Sequence, residues 1–124
     1  MRLLLDANAL LWWRNASRRL SRLARDTIGD GGNEIVLSAA TLWEITIKRG
    51  LGKLQFPDDL EEVMQEEGFS LMPIAYAHLR TFDNLPRHHR DPFDRLVIAQ
   101  ALSEGIPIAT ADRIFAAYGV QIVW

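Results

Sequence analysis

Short apolar runs alternate with helical segments along the whole chain, and this alternation narrows the fold more than any other feature. Leu3-Leu4-Leu5 lies in a strand-like stretch from Arg2 to Asp6, and Ile35-Val36-Leu37 in one from Glu34 to Ser38. Similar stretches follow at Phe69 to Ile74, Pro107 to Thr110 and Val120 to Val123. Continuous apolar residues, rather than strict in-and-out alternation, suit strands covered on both faces of a sheet. Between them the spacing predicts helices over Ala7 to Arg14, from the N-cap Ser21 to the turn at Gly29, and from about Ala40 to Arg49. Further helices are predicted from Pro57-Asp58-Asp59 to near Gly68, over Ala75 to Phe82, from Asp91 to about Ser103, and over Asp112 to Tyr118. Strands and helices in this order predict an α/β domain, three layers deep, around a mainly parallel sheet. A chain of 124 residues is one domain, residues 1–124, with enough material for a core.

Four acids recur at the edges of these elements. Asp6 follows Leu5 directly, and Asp112 comes just after Ile108-Ala109-Thr110. Asp94 opens Leu96-Val97-Ile98-Ala99, and Glu44 sits inside Ala40-Thr41-Leu42-Trp43-Glu44-Ile45. A carboxylate beside buried apolar segments is costly unless something pairs with it. In open α/β sheets, ligands bind outside the carboxyl ends of the strands. Four acids in such settings therefore point to one acidic cleft holding a cation through oxygen ligands. The chain has no cysteine, which excludes disulfides, thiol catalysis and zinc–thiolate sites. Hard divalent cations such as Mg²⁺ and Mn²⁺ prefer carboxylate and water, and the chemistry natural to them is phosphoryl transfer.

Other polar residues have simpler explanations. Asp91, with Pro92 behind it, is accounted for as a helix N-cap. Adjacent histidines rarely face one site, so His88 and His89, with Arg87 and Arg90, are expected to form a basic rim that meets phosphates or orients the loop. Arg14, Arg18, Arg22 and Arg25 have near-helical spacing, but Ser17 to Ser21 breaks the stripe, and a solvated face is favoured over an RNA track. Trp12, Trp13 and Trp43 are expected in the core or along a groove for a partner helix. The formal net charge of −2 gives no global basic field, and of the 14 basic residues only Lys48 and Lys53 are lysine. Arginine's planar fork suits phosphate and carboxylate. The apolar start, Leu3 to Trp13, is too short to span a bilayer and is interrupted by Asp6. A soluble, unprocessed, cytoplasmic protein without membrane contact is expected. No glycine-rich phosphate loop is present.

Four motifs carry a family resemblance. They are Leu4-Leu5-Asp6-Ala7-Asn8-Ala9-Leu10-Leu11-Trp12-Trp13; Trp43-Glu44-Ile45 followed by Leu51-Gly52-Lys53-Leu54; His88-His89-Arg90-Asp91-Pro92-Phe93-Asp94-Arg95-Leu96-Val97-Ile98-Ala99-Gln100-Ala101; and Thr110-Ala111-Asp112. With them the chain resembles, over nearly its whole length, the PIN-domain ribonucleases, and among these the VapC-type toxins of bacterial toxin–antitoxin pairs. The resemblance implies a PIN-like α/β/α fold and endonucleolytic cleavage of RNA by an activated water, dependent on Mg²⁺ or Mn²⁺. The family's metal-binding and catalytic acids fall on Asp6, Glu44, Asp94 and Asp112. By the same resemblance Asp6 and Asp94 are the main ligands, Asp112 completes the metal site, and Glu44 acts through a metal-bound water. Asn8, Thr110 and Arg95 are expected to support them. The implied partners are a VapB-like antitoxin, an RNA substrate and a second copy in a homodimer. One departure stands out: relatives usually read Asp-Thr-His where this chain has Asp6-Ala7-Asn8. Ala7 lacks a hydroxyl that could orient Asp6, while Asn8 still offers an amide to a ligand-shell water. Two other readings are a PIN-fold binding module with vestigial acids and a housekeeping PIN nuclease in RNA processing.

Overall fold

The computed structural model describes all residues, 1–124. In chain order they form β1 (Arg2–Leu5), α1 (Ala7–Arg14), α2 (Arg22–Gly29), β2 (Glu34–Ser38), α3 (Ala39–Gly50) and α4 (Leu60–Glu67). Then come β3 (Ser70–Met72), α5 (Tyr76–Asp83), α6 (Pro92–Glu104), β4 (Ile108–Ala109), a 3₁₀ helix (Arg113–Tyr118) and β5 (Ile122–Val123). The five strands make one sheet in the order β3-β2-β1-β4-β5, and every neighbouring pair is parallel. The sheet is thus wholly rather than mainly parallel.

The triplet Leu3-Leu4-Leu5 shows why β1 lies in the middle. All three side chains are fully buried, Leu3 and Leu5 in one core and Leu4 in the other. Successive strand residues point to opposite faces, so only a strand covered on both sides can bury all three. Each such burial stabilises by about 1.5–3 kcal/mol. One core joins Ile35 and Leu37 of β2 to α1, α2, α3 and α4 through residues such as Leu10, Ile28, Ile45 and Val63. The other joins Val36 and Ile108 to α6 and the 3₁₀ helix through Val97, Ile98 and Phe115. Helix α5 packs against α6.

The helix starts follow their capping residues. Ser21, Ser38, Asp59 and Asp91 each accept a backbone N–H of the first turn. Asp59 as cap delays α4 to Leu60, past the Pro57 start expected from the sequence. The edge strands β3 and β5 are shorter than their apolar runs, because only the part facing a neighbour makes a ladder. The last helix is 3₁₀: Gly119 N–H donates to Ala116 O at 3.1 Å, and Gly119 then turns left-handed at φ 80°. No helix is long and apolar enough to cross a membrane.

Two surface expectations change. Arg14 is no solvated charge: it binds Asp58, Glu66 and Glu67 at 2.9, 3.2 and 3.0 Å, tying α1 to α4 and the segment before it. The tryptophans do not share one groove. Trp12 packs on Trp124 at 5.8 Å and the Trp13 indole donates to Glu67 at 2.7 Å, both against the α1–α4 core. Trp43 stands apart, 60% exposed and edge-on to Phe93.

Candidate metal centre

The chain leaves β1 toward β2 but leaves β4 toward β5, so the connections diverge at the carboxyl ends of these two neighbouring strands. Such a divergence opens a crevice, the usual ligand site of a parallel sheet. Leu5 of β1 is in register with Ala109 of β4, which sets the next residues, Asp6 and Thr110, side by side. The Thr110 hydroxyl donates to Asp6 Oδ2 at 2.5 Å, and the Ala9 N–H donates to Asp6 Oδ1 at 2.8 Å. Asp6 is thus the N-cap of α1 and a wall of the crevice at once. It is only 8% exposed, and this burial pushes its carboxyl up to about 6, against the pull of the two hydrogen bonds.

The other acids arrive from three directions. Asp94 lies in the first turn of α6, where Asp91 Oδ1 receives the N–H groups of Phe93 and Asp94 at 2.8 and 3.3 Å. Burial, then the nearby charges of Asp91 and Glu44, raise Asp94 to about 7, with His89 opposing. Asp112 caps the 3₁₀ helix through Ile114 N–H at 3.0 Å, and its own N–H donates to Thr110 Oγ1 at 3.0 Å. Glu44, on α3, is 5% exposed and accepts from Lys48 Nζ at 2.6 Å. That hydrogen bond, then the attraction of the carboxylate, lifts Lys48 above the usual lysine range despite partial burial. All four acids, with Asn8 and Asp91, line one cleft of about 390 Å³.

Several residues have roles the sequence did not disclose. His89 lines the basic rim with Arg87 and Arg90 but also turns inward: its Nδ1 accepts the Asp91 N–H at 3.1 Å, so the ring proton sits on Nε2. From there it donates to Asp112 Oδ2 at 2.8 Å and faces Asp94 Oδ2 at 3.2 Å. His88 turns away and stands edge-on to Tyr118 at 5.0 Å. No sequence signal separates these two neighbours. Lys48 and Lys53, the only lysines of the chain, both line the cleft. The four-residue step from Glu44 to Lys48 on a helix was the one legible hint. Arg95, expected to support the acids, is instead directed at the loop: Nη1 donates to Pro86 O at 2.9 Å and to the Tyr118 hydroxyl at 3.3 Å.

This donor set fits a hard divalent cation. Carboxylate oxygens dominate the cleft and sulfur is absent. Burial and mutual repulsion hold two of the acids toward neutrality, a cost that a cation removes. Ligand atoms of His89, Asp94 and Asp112 lie within 4.8 Å of one another, whereas Asp6 and Glu44 stand outside that trio in the same cleft. With its proton on Nε2, His89 offers these acids a donor and no lone pair.

Thr110 is the keystone of the pair of strand ends. Thr110→Val leaves a buried carboxylate oxygen of Asp6 and the Asp112 N–H without partners, and the expected cost is about 2 kcal/mol. A urea titration at pH 8 reads it as a lower midpoint at unchanged slope. An unchanged midpoint removes this role from the hydroxyl.

A family model of the PIN domain matches residues 3–121. Among solved structures, the chain is similar to VapBC2 from Rickettsia felis bound to a promoter DNA fragment, at 14% identity and a TM-score of 0.68, with 98% of this chain and 97% of that one covered. DNA-bound VapBC from Salmonella typhimurium is similar at 18% identity and 0.66, covering 98% and 96%. FitAcB from Neisseria gonorrhoeae gives 18% and 0.64, again with 98% and 96% covered. At these identities the likeness is one of fold. Comparison with curated protein sequences found no match.

Proposed function

Since the chain belongs to the PIN domain family, we propose that it is a divalent-metal-dependent endoribonuclease, the toxin of a VapBC-type toxin–antitoxin pair. The observation that carries this reading is the convergence of Asp6, Glu44, Asp94 and Asp112 on one cleft at the divergence of β1 and β4. Asp6, Asp94 and Asp112 would hold Mg²⁺ or Mn²⁺, which when bound would supply positive charge for activating water and stabilising a leaving oxygen. The chain's own residues do the positioning. Thr110 and the Ala9 N–H fix the Asp6 carboxylate, and His89 spaces Asp94 from Asp112. Glu44 holds the Lys48 ammonium in the cleft, where it meets an oxygen of the RNA backbone. Asn8, exposed on the cleft wall, offers its amide to water.

The proposed inhibitor is a VapB-like antitoxin, a reading supported by the VapBC structures of similar fold. Trp43 precedes Glu44 on α3 and Phe93 precedes Asp94 on α6, so the exposed apolar patch adjoins the acids. With Leu79, Phe82 and Leu96 it bounds a hollow of about 280 Å³. An amphipathic antitoxin segment seated there places a basic residue among the carboxylates. A homodimer in the cytoplasm completes the proposed state, read by light scattering.

Incubation of the purified protein with labelled RNA tests the reading. Internal cleavage is expected with Mn²⁺ or Mg²⁺, and none in chelator. RNA bound but left intact favours the binding module, and cleavage without growth arrest on induction favours a processing nuclease.

A further inference from the structure

The loop between α5 and α6 has two sides. Toward the acids it presents His89. On the other side Arg87, Arg90 and Arg95, with Pro92, surround a second cavity of about 370 Å³, which His89 also lines. No carboxylate lines it. Arg87 and Arg90 are exposed and make neither a hydrogen bond nor an ion pair.

The base of this cavity is tied to its surroundings by several contacts. Arg95 is tied to Pro86 O and the Tyr118 hydroxyl, and its guanidinium lies 5.1 Å from the Phe82 ring centre. The same hydroxyl receives the N–H groups of His88 and His89 at 3.0 and 2.7 Å. One tyrosine from the 3₁₀ helix therefore anchors the loop, while two of its arginines point their charge at nothing. Three guanidiniums around one concavity repel each other, and an anion relieves that repulsion. A phosphodiester presents the pair of oxygens that a guanidinium fork matches.

The position of the cavity selects the anion. His89 lines this cavity and also reaches the acids, with Nε2 at 2.8 Å from Asp112 Oδ2 and 3.2 Å from Asp94 Oδ2. A chain of net charge −2 with an acidic cleft repels RNA unless an electrostatic anchor lies close to the cleft. We infer that the Arg87–Arg90–Arg95 cavity seats the RNA backbone phosphate adjoining the scissile one. The inference rests on the endoribonuclease reading above for the direction of the strand, but its test does not depend on cleavage.

Fluorescence anisotropy of a labelled single-stranded RNA, in metal-free buffer over a salt series, compares the wild type with the double variant Arg87→Ala, Arg90→Ala. Neither side chain has an intramolecular partner, so the variant folds. Arg95, which anchors the loop, is left in place. RNA affinity at 0.1 M salt is expected to fall about tenfold, and the slope of log affinity against log salt to become shallower by about 0.7 for each phosphate no longer neutralised. The Mn²⁺-induced thermal shift is expected to be the same in both proteins. Equal RNA affinity and slope overturn the inference. So does a variant that loses polyglutamate binding while keeping RNA binding, which makes the cavity a seat for an acidic protein. A wild type that binds no RNA in this assay overturns it as well, whatever the cleavage assay shows. Wild-type protein that shows the expected binding but never cleaves with Mn²⁺ removes the nuclease reading and leaves the phosphate seat standing.

Discussion

Asp94→Asn is expected to abolish the proposed RNA cleavage and to leave a folded protein. The expected loss is on the order of 10³-fold or more, which corresponds to about 4 kcal/mol of transition-state stabilisation. The size follows from what the substitution removes. Asp94 carries its charge into a cleft where burial and the charges of Asp91 and Glu44 hold it at about 7. It keeps that charge at neutral pH only in part, and a cation that pairs with it completes the ionisation. Asparagine retains the shape and one oxygen but supplies no charge to hold the cation. The fold has little reason to notice. The helix start depends on Asp91 and the backbone N–H of residue 94, and the helix is held by Val97 and Ile98 in the core. Single-turnover cleavage of labelled RNA with circular dichroism of the same sample measures both halves. Undiminished cleavage by the variant takes Asp94 out of the metal site.

Asp6→Asn is expected to raise the metal-free melting temperature at pH 8 and to blunt the response to Mn²⁺. Burial lifts the folded-state value of Asp6 from 3.8 to about 6. The folded protein therefore keeps a proton that the unfolded chain releases, and metal-free stability falls as pH rises from about 4 to beyond 6. At about 1.4 kcal/mol per unit, the loss from Asp6 is roughly 3 kcal/mol above that window. Asp94 adds a loss of the same sign, extending to about pH 7. Asparagine escapes the penalty but gives up the charged acceptor of the Thr110 hydroxyl, so the net gain is smaller, about 1–2 kcal/mol, or several degrees. Below about pH 3, where the wild-type carboxyl is neutral in both states, the advantage vanishes. Mn²⁺ at a hundredfold over its dissociation constant stabilises the wild type by about 2.7 kcal/mol, on the order of 10 °C. Scanning fluorimetry over pH and Mn²⁺ decides the matter. If Mn²⁺ shifts neither protein, the four acids do not form the proposed centre.

Much of this was legible locally. Ser21 and Asp91 announce helix starts because a short side-chain oxygen beside an uncapped N–H is a contact within a few residues. Leu3-Leu4-Leu5 announces a central strand because only a doubly covered strand buries three consecutive leucines. The acids were visible as a set for the same kind of reason: each sits at the end of an apolar element, where a charge is out of place unless it has work. That these acids lie in one cleft follows from the strand order β3-β2-β1-β4-β5, which no local pattern encodes.

What the sequence by itself determined is what neighbours along the chain can settle: the element order, the caps, the parallel α/β class and which carboxylates are costly to bury. What only the tertiary structure decided are the pairings between distant residues. His89 and His88 are chemically identical, and only His89 reaches Asp112 and Asp94, in a loop whose two N–H groups are held by Tyr118 from the 3₁₀ helix. Arg14 becomes a tie rather than a solvated charge because α4 brings Glu66 and Glu67 to it. Trp43 separates from Trp12 and Trp13 because α3 and α1 present them to different neighbours. Asp6 meets Thr110, 104 residues away, through the parallel register of Leu5 with Ala109. Such contacts depend on how the cores of both sheet faces pack, and the energy that selects them is spread over many buried side chains rather than written at the residues it brings together.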